Sequence, residues 1–439
     1  MFHVKSNNPN YLAKFIKLPA PIPHGNADKL QKVIIDGSCV ITGMDAKEGD
    51  LYIHFPLESA LNKDYLSFTN SFQEKEKNKD VEVKGFFHKS GRVKAVKLRG
   101  VPSEGYIVPV SSVIKWLEST GAKVNFTEDL VGKEFDSFEE ILICEKYVIP
   151  VKGNPSERKL NKKVRQESKI VENQFRLSED TENLKRNMFK INPEDYISLS
   201  YKIHGANMSM GKVLCKRPLN FIEKALKFLG VKINDTQYDL VFASRKLIKN
   251  AYADKKVGSF YDHDIWADIA EKYKNCLKDG ITLYGEIINQ APTGAWIQKD
   301  YDYGLAEKTS DLLVYRITST NASGDVIEFT TPQIQRYCEL MGLKTVPIFY
   351  YGKARDWNPN IDTQNHWHDN FLQALLEKYT EKNCYICKNK VPEEGIVLVK
   401  EAAFFEAYKL KSFAFFERET KLLDNNETNM EDMEEANNE

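Results

Sequence analysis

Hydrophobic residues in the first third of the chain fall in short runs that predict β-strands. Residues 32–43, for example, are rich in β-branched side chains and are broken by Asp and Gly, which is typical of strands joined by tight turns. Residues 81–100 predict a hairpin that turns at Ser90 and Gly91,. Residues 111–120 have the spacing of a helix. Several short strands with one helix predict a small β-barrel.

An OB-type barrel is the favoured form of this first module. Such a barrel combines a few strands with a surface that grips nucleic acid. The alternative is a β-domain without a specialised surface.

From about residue 170 onward the pattern mixes strands with helices and predicts an α+β domain. The helical period that contains Phe221 to Leu229 places apolar residues at helical spacing, so we expect this helix to pack into the core,. The predicted strands are 196–203, 239–246, 281–288, 311–318 and 394–400, and the clearest helices are 219–230 and 370–379.

Length and composition exclude several classes of protein. A chain of 439 residues exceeds what one hydrophobic core usually serves, which predicts two domains,. Hydrophobic residues make up 42% and charged residues 28%, as in soluble globular proteins,. No apolar run approaches the roughly 20 residues that cross a bilayer, and the N-terminus lacks the apolar core of a secretory signal. We therefore expect a soluble, intracellular protein, in the cytoplasm of a cell or of an infected host.

The formal net charge of −1 hides a separation of charge along the chain. Residues 156–169 are strongly basic, and they form either a solvated linker or a contact with nucleic acid. Residues 424–439 are acidic and lack aromatic side chains, so they cannot bury enough apolar area to become ordered. The predicted organisation is an OB-like β-barrel domain at 1–150, a basic linker at 151–169, a second domain at 170–418 and an acidic disordered tail at 419–439.

The seven cysteines are an odd number spread over a long chain, which favours free thiols in a reducing compartment,. Only Cys384 and Cys387 form a Cys-x-x-Cys pair. A zinc site would need a second pair of ligands, and the nearest candidates, His366 and His368, precede the cysteines at an unusual spacing. Free thiols are therefore favoured over zinc.

The stretch "SYKIHGANMSMG", residues 200–211, places Lys202 at the end of a predicted strand and ahead of a tight turn. Lysine followed three residues later by glycine occurs four times in the chain, so this pattern alone indicates nothing. What distinguishes Lys202 is the ordered series of polar residues that follows it on or at the ends of predicted strands. These residues are Arg245, Glu286, Tyr315, Glu394, Lys409 and Lys411.

In order and local context these segments resemble the nucleotidyl motifs of the covalent nucleotidyltransferases, the superfamily of ATP-dependent DNA ligases, RNA ligases and mRNA capping guanylyltransferases. The similarity spans about residues 170–415. Within the superfamily, His204 and Asn207 resemble the RNA ligases. Residues 92–109 further resemble the OB-like module that precedes the catalytic domain in one family of nick-sealing RNA ligases. The resemblance implies ATP-grasp-like antiparallel sheets with helices, preceded by a small OB-like β-barrel.

The resemblance also implies a role for each residue of the series. Lys202 would carry AMP, and Glu394, with Glu286, would hold Mg²⁺ or Mn²⁺ through water. Tyr315 would stack on the adenine, although a core position for Tyr315 stays open, as does a register in which Leu312 or Val314 faces the base. The residues expected to bind ATP are His204, Gly205, Asn207, Arg245, Glu286, Tyr315, Lys409 and Lys411.

The chemistry of joining a 5′-phosphate to a 3′-hydroxyl explains why a lysine is needed. AMP is captured on the lysine, transferred to the 5′-phosphate, and released when the strand is sealed. An amine attacks phosphorus only when it is unprotonated, and an ordinary lysine is about 4.6 kcal/mol from that state at pH 7. Neighbouring cations favour the neutral amine. We therefore expect Lys202 to lie within reach of Lys409, Lys411 or a metal ion.

The sequence thus predicts an ATP-dependent RNA ligase that seals 3′-OH and 5′-phosphate ends through lysyl-AMP and an AMP-capped 5′-end, as a monomer acting in RNA repair. Its partner would be RNA, either a nicked duplex or broken ends, and not a membrane. A DNA ligase or a GTP-using capping enzyme on the same scaffold remains an alternative. So does a non-catalytic RNA-binding OB protein, since residues 22–30, "IPHGNADKL", resemble tRNA-binding barrels.

Overall fold

The computed structural model describes residues 1–148, 169–249 and 264–425. Its N-terminal module consists of small antiparallel sheets, the largest of which has the strand order β10-β6-β2-β11, wrapped around a core rich in phenylalanine. The strands are Phe2–His3 (β1), Ala13–Lys17 (β2), Ile22–Pro23 (β3), Leu30–Ile35 (β4), Ser38–Gly43 (β5), Leu51–Pro56 (β6), Ser59–Leu61 (β7), Val96–Leu98 (β8), Val101–Ser103 (β9), Gly105–Pro109 (β10), Glu134–Phe135 (β11), Ser137–Phe138 (β12), Ile141–Leu142 (β13) and Cys144–Lys146 (β14).

The C-terminal domain contains two larger sheets. One has six strands, in the order β18-β17-β19-β20-β21 with β22 paired to β20, and the other has five, in the order β15-β25-β24-β16-β23. The strands are Glu182–Asn183 (β15), Tyr196–Tyr201 (β16), Ala206–Lys216 (β17), Thr236–Ala243 (β18), Ile281–Asn289 (β19), Ser310–Thr320 (β20), Val326–Glu328 (β21), Lys344–Thr345 (β22), Ile348–Lys353 (β23), Gly395–Lys400 (β24) and Glu406–Lys411 (β25).

Helices cover the outer faces of these sheets and leave a gap between them. Helices α5 and α6 pack on the six-stranded sheet, and α3 and α8 pack on the five-stranded sheet. The helices are Lys63–Phe68 (α1), Val110–Ser119 (α2), Leu184–Asn187 (α3), Phe221–Phe228 (α4), Ile265–Tyr273 (α5), Thr331–Met341 (α6), Ala354–Trp357 (α7), Trp367–Tyr379 (α8) and Phe413–Asp424 (α9), with short 3-10 turns at Pro9–Tyr11, Lys75–Lys77, Glu128–Leu130, Met188–Lys190 and Lys274–Cys276.

The two sheets are joined by the residues that follow β16. This strand is central in its sheet, because it pairs with β24 on one side and with β23 on the other. Four residues later the chain enters β17, which belongs to the other sheet. Lys202, at the start of this crossing, therefore lies between the two layers.

The predicted hairpin at Ser90 and Gly91 is wrong. The hairpin lies further along, between β8 and β9, where Arg99 and Gly100 have φ angles of 45° and 87°. Two successive left-handed residues give a tight turn whose twist suits paired strands. The residues that precede this turn do not form a hairpin with each other. Instead, Phe87 forms a β-bridge with Phe72.

The expectation that the helix at Phe221 packs into the core is also wrong. No residue of α4 is buried, and Phe221 and Phe228 are 87% and 91% exposed. The helix lies in the connection between β17 and β18, where the ion pairs Arg217–Glu223 and Lys227–Asp235 tie it down. Helical spacing of apolar residues indicates a helix but does not determine whether another layer covers it.

The predicted start of the acidic disordered tail at residue 419 is wrong. Helix α9 continues through Asp424, with Phe415 and Glu419 buried. Its end is attached to the N-terminal module, since Asp424 forms ion pairs with Arg92 and Lys94. The prediction of disorder is therefore wrong for 419–424, while residues 426–439 lie outside the described residues, as does most of the predicted basic linker. None of the helices in the described part of the chain has the length and apolarity to span a membrane.

Candidate active site

The cleft between the two sheets is lined by every residue that the sequence assigns to the nucleotide. Strand alternation and the crossing after β16 bring these side chains together from segments up to two hundred residues apart along the chain. They are Lys202, His204, Gly205, Asn207, Arg245, Glu286, Tyr315, Glu394, Lys409 and Lys411.

Two lysines hold one carboxylate at the centre of the cleft. Nζ of Lys202 and Nζ of Lys411 each lie 3.0 Å from Oε1 of Glu394. The backbone adds to this arrangement, because the N–H of Lys202 donates to the carbonyl of Gly395 at 2.9 Å. The expectation that Lys202 lies near one of the paired lysines is confirmed.

Glu394 is charged although it is only 3% exposed. Burial by itself would raise the pKa of its carboxyl group, but the positive charges of Lys202 and Lys411 lower the pKa to about 2,. The reverse holds at Lys411, where burial disfavours the ammonium and Glu394 raises the pKa above its usual value. This carboxylate and Lys411 are thus a stable ion pair at neutral pH.

Lys409 lies two residues before Lys411 on β25 and also lines the cleft. Burial, together with the charges of Lys411 and Lys202, lowers its pKa well below the usual value,. An anion that entered the cleft would favour the protonated form of Lys409. Lys409 can therefore supply an additional positive charge when a phosphate group binds.

His204 lies between two carboxylates. Its Nδ1 is 3.6 Å from Glu394 Oε2 and its Nε2 is 3.6 Å from Glu419 Oε1. The Tyr303 hydroxyl accepts a hydrogen bond from the His204 N–H at 2.7 Å, and Phe415 contacts the ring edge-on. Glu419 was not predicted, because it comes from α9, beyond the last of the recognised segments.

Asn207, Glu286 and Tyr315 lie side by side on neighbouring strands. Asn207 on β17 is paired with Glu286 on β19, and Nδ2 of Asn207 donates to the Tyr315 hydroxyl on β20 at 2.8 Å. Leu312 and Val314 are buried in the core beneath the sheet. The ring of Tyr315, rather than either aliphatic side chain, therefore faces the cleft.

Gly205 allows β17 and β19 to approach closely. A Cβ atom at this position would lie 2.5 Å from the carbonyl oxygen of Ile287 and 3.0 Å from Cβ of Glu286. The carbonyl oxygen of Gly205 also accepts a hydrogen bond from Nε2 of Gln298 at 2.9 Å. A side chain here would displace Glu286 from the cleft.

We expect Gly205→Ala to destabilise the protein by about 1–3 kcal/mol, since the atoms that the methyl group would meet include backbone. Gly43→Ala is the matched control, because a Cβ there would meet only the side chain of Asp45. Thermal unfolding and nucleotide binding of the two variants would check this. A Gly205→Ala protein as stable and as active as the Gly43→Ala protein would contradict it.

Arg245 follows β18 and is paired with Asp180 across the cleft. Both side chains belong to the C-terminal domain, and Asp180 was not predicted. Arg316, next to Tyr315, is buried away from this pair, with ion pairs to Glu328 and Glu179. Arg245 is therefore the arginine of this region that faces a ligand in the cleft.

The N-terminal module contributes one wall of the cleft, which the sequence did not reveal. Tyr11, Glu58, Arg92, Lys146 and Tyr147 all line it. The Arg92 side chain is 2% exposed and its Nη1 has no hydrogen-bond partner within the described residues. A buried guanidinium nitrogen without a partner is costly, which indicates a place for an anion.

The donor atoms in the cleft suit a divalent cation that keeps much of its water. Oε2 of Glu394 and Oδ1 of Asn207 are buried and lack hydrogen-bond partners in the described part of the chain. Across residues 1–148, 169–249 and 264–425, no group of three or more His, Cys, Asp or Glu side chains is arranged to hold a metal. Mg²⁺ usually keeps several waters and takes few direct protein ligands, so the two unpartnered oxygens suit such an ion.

Comparisons with known proteins give the family and the fold. The RNA ligase family model matches residues 195–413, and a model of an OB-fold domain matches residues 12–110. The comparison with curated proteins gave no match. The predicted fold, an N-terminal OB-like barrel followed by an α+β domain of antiparallel sheets and helices, is confirmed.

Solved structures of an RNA ligase from Naegleria gruberi share this fold. A mutant without ligand is 17% identical, with 94% of this chain and 99% of that chain covered and a TM-score of 0.58. A mutant with AMP and manganese is 16% identical, with 93% and 98% covered and a TM-score of 0.57. A mutant with ATP and manganese is 16% identical, with 95% and 99% covered and a TM-score of 0.57.

Proposed function

The chain belongs to the RNA ligase family, and from that premise we propose that it joins RNA ends with ATP through an adenylate carried on Lys202. The observation that carries the proposal is the single carboxylate oxygen of Glu394 shared by Lys202 and Lys411. It lies inside a cleft lined by all the residues that the resemblance assigns to the nucleotide.

In the first step Lys202 loses a proton to solvent, its neutral amine forms a bond to the α-phosphorus of ATP, and pyrophosphate leaves with the electrons of the broken P–O bond. Lys411 keeps its proton because Glu394 raises its pKa, so it remains a cation beside the reacting phosphate,. Lys409 would gain a proton as the anionic nucleotide enters. Tyr315 would lie against the adenine, and Glu286 would meet the ribose.

A divalent cation held by Glu394, and through water by Glu286, would neutralise negative charge on the phosphates. The residues themselves position the nucleophile for this step. His204 is fixed between Glu394 and Glu419, and the backbone N–H groups of Tyr201 and Lys202 donate to the carbonyl oxygens of Pro347 and Gly395. Such restraint reduces the entropy that the reaction would otherwise lose.

In the second and third steps AMP moves to the 5′-phosphate of RNA, and the 3′-hydroxyl then displaces it. Arg245 is suited to the 5′-phosphate, because a guanidinium binds phosphate through two parallel hydrogen bonds. Its present partner, Asp180, would have to release it. The substrate would be a nicked duplex or a broken RNA, as in RNA repair, and the ligase would act as a monomer.

Arg92 gives a test of the wall that the N-terminal module contributes. We expect Arg92→Ala to slow adenylate formation on the order of tenfold, since a hydrogen bond to a charged group contributes about 1.5 kcal/mol or more. Lys94→Ala is the matched control, because Lys94 also pairs with Asp424 but is not part of the cleft wall. If both variants slowed adenylate formation equally, the effect of Arg92→Ala would come from the lost ion pair with Asp424 at the end of α9, and not from the cleft wall.

The whole proposal is tested with labelled nucleotides and matched nicked substrates. Incubation with ATP and magnesium should label the protein at Lys202, and GTP should not. Sealing should require a ribose at the 3′-hydroxyl end. Labelling by GTP alone would indicate a capping enzyme, and equal sealing of a 3′-deoxyribose end would indicate a DNA ligase.

A further inference from the structure

A pair of thiols lies directly behind the adenylate cleft. Cys384 is 4% exposed and belongs to the same apolar cluster as Tyr201 and Tyr303, and Cys387 packs against that cluster as a partly buried residue. All seven cysteines are free thiols. Neither of these two lines the cleft, so the catalytic steps do not use them.

The two thiols interact with each other. The neighbouring Cys387 thiol lowers the pKa of Cys384, against the opposing effect of burial. The same interaction raises the pKa of Cys387. Cys384 is therefore the more acidic of the two thiols, and a thiolate is the reactive form of cysteine in oxidation and disulfide formation.

The loop that holds these thiols is closed at its base. The N–H of Cys384 donates to the carbonyl of Val391 at 2.8 Å, and Asn383 forms a β-bridge with Pro392. Two residues after this bridge comes Glu394. A change in the loop therefore reaches the start of the strand that carries the central carboxylate.

The thiol pair shares its apolar cluster with two tyrosines that support the catalytic segment. Tyr201, the residue before Lys202, belongs to this cluster together with Cys384, and its buried hydroxyl has no hydrogen-bond partner within the described residues. Tyr303 belongs to the same cluster, against which Cys387 packs. The Tyr303 hydroxyl in turn accepts the N–H of His204. The thiol pair is thus in contact with the supports of both Lys202 and His204.

We propose that Cys384 and Cys387 are a modification site, at which a reversible disulfide forms under oxidising conditions and slows adenylate formation on Lys202. The second half of this inference rests on the proposed function. In the reaction the two thiols lose two protons and two electrons and one S–S bond forms. A peroxide as oxidant takes up both, so that hydrogen peroxide is reduced to two molecules of water.

The disulfide would act on the cleft by changing how both sulfurs pack. Formation of the S–S bond draws the two sulfurs together, so that the packing of Tyr201 and Tyr303 in the shared cluster changes. Tyr201 and Tyr303 would then no longer hold the segment from Lys202 to His204 in one position. A small displacement of a nucleophile reduces the rate by roughly tenfold or more.

The experiment compares full-length protein before and after treatment with hydrogen peroxide. Digestion with alkylation of free thiols should show Cys384 and Cys387 in one peptide joined by an intramolecular bond. Adenylate formation should fall by roughly tenfold and should return with a reducing agent. Cys387→Ser should keep its activity after oxidation. The matched control, Cys39→Ser, removes another partly buried thiol and should still be inactivated.

The possible outcomes separate this inference from the proposed function. If the reduced protein forms no adenylate, the proposed function fails, whereas peptide mapping still decides whether the disulfide forms. Absence of the joined peptide overturns the inference. So does a disulfide that leaves the adenylation rate unchanged, or an equal loss of activity in Cys387→Ser.

Discussion

Lys202→Ala should abolish the covalent adduct of the protein with AMP, with a loss of at least roughly 10³-fold in its rate of formation, because it removes the proposed nucleophile. Lys409 and Lys411 line the same cleft, but Lys411 is bound to Glu394 as a cation. Lys409 lies on β25 and not on the crossing between the sheets. Intact-protein mass spectrometry after incubation with ATP and magnesium measures the adduct.

A matched control for this variant is Lys227→Ala. Lys227 is also followed three residues later by glycine, but it is a surface residue paired with Asp235. It should form the adduct at the normal rate. Lys202→Ala should still seal a nick whose 5′-end already carries AMP, since that step no longer needs the lysine as nucleophile. An adduct on Lys202→Ala would rule out Lys202 as the carrier.

Glu394→Gln should slow adenylate formation by roughly 10²–10³-fold, because it removes a preorganised charge from the reacting centre. The amide also leaves Lys202 and Lys411 without the negative charge that they share, in a place that is little exposed. Breaking a buried ion pair by removing one partner costs about 3–5 kcal/mol of stability. The adenylation rate and thermal unfolding should therefore be measured on the same preparation.

Glu393→Gln is the control that tests whether any substitution in this segment slows adenylate formation and lowers stability. Burial raises the pKa of Glu393 to about 7, so a neutral amide resembles a form that the wild type already populates, and its side chain does not line the cleft. This variant should adenylate at close to the normal rate. If both glutamine variants formed the adenylate equally slowly, the slow rate of Glu394→Gln would not be due to the loss of its charge.

Acid stability provides a further measure of Glu394. Its pKa is lowered from 4.5 to about 2 on folding, so the charged carboxylate stabilises the native state above the unfolded-state pKa, and this contribution is lost as the pH falls through about 2. The unfolding free energy of Glu394→Gln should change less than that of the wild type between pH 4.5 and about 2. An identical acid profile for the two proteins would contradict the assigned ion pair.

The sequence alone determined the types, order and strand positions of the residues in the cleft. Lys409 and Lys411 face the same side because side chains alternate along a strand, and Lys202 follows a strand that is buried on both faces. These are local properties, set by backbone geometry within a few residues. They were sufficient to predict the α+β domain and the barrel before it, whereas the assignment of residues to the nucleotide came from the resemblance to the covalent nucleotidyltransferases.

Only the tertiary structure decided how segments distant in the sequence meet. Glu419 reaches His204 because α9 folds back over the cleft, and Arg92 lines it because the two domains are packed together. The same reason explains the failures: helix α4 has apolar spacing but no layer above it, and residues 81–95 pair with distant strands. Burial and contact depend on the packing of whole layers, and a periodic pattern contains no information about which layer lies opposite.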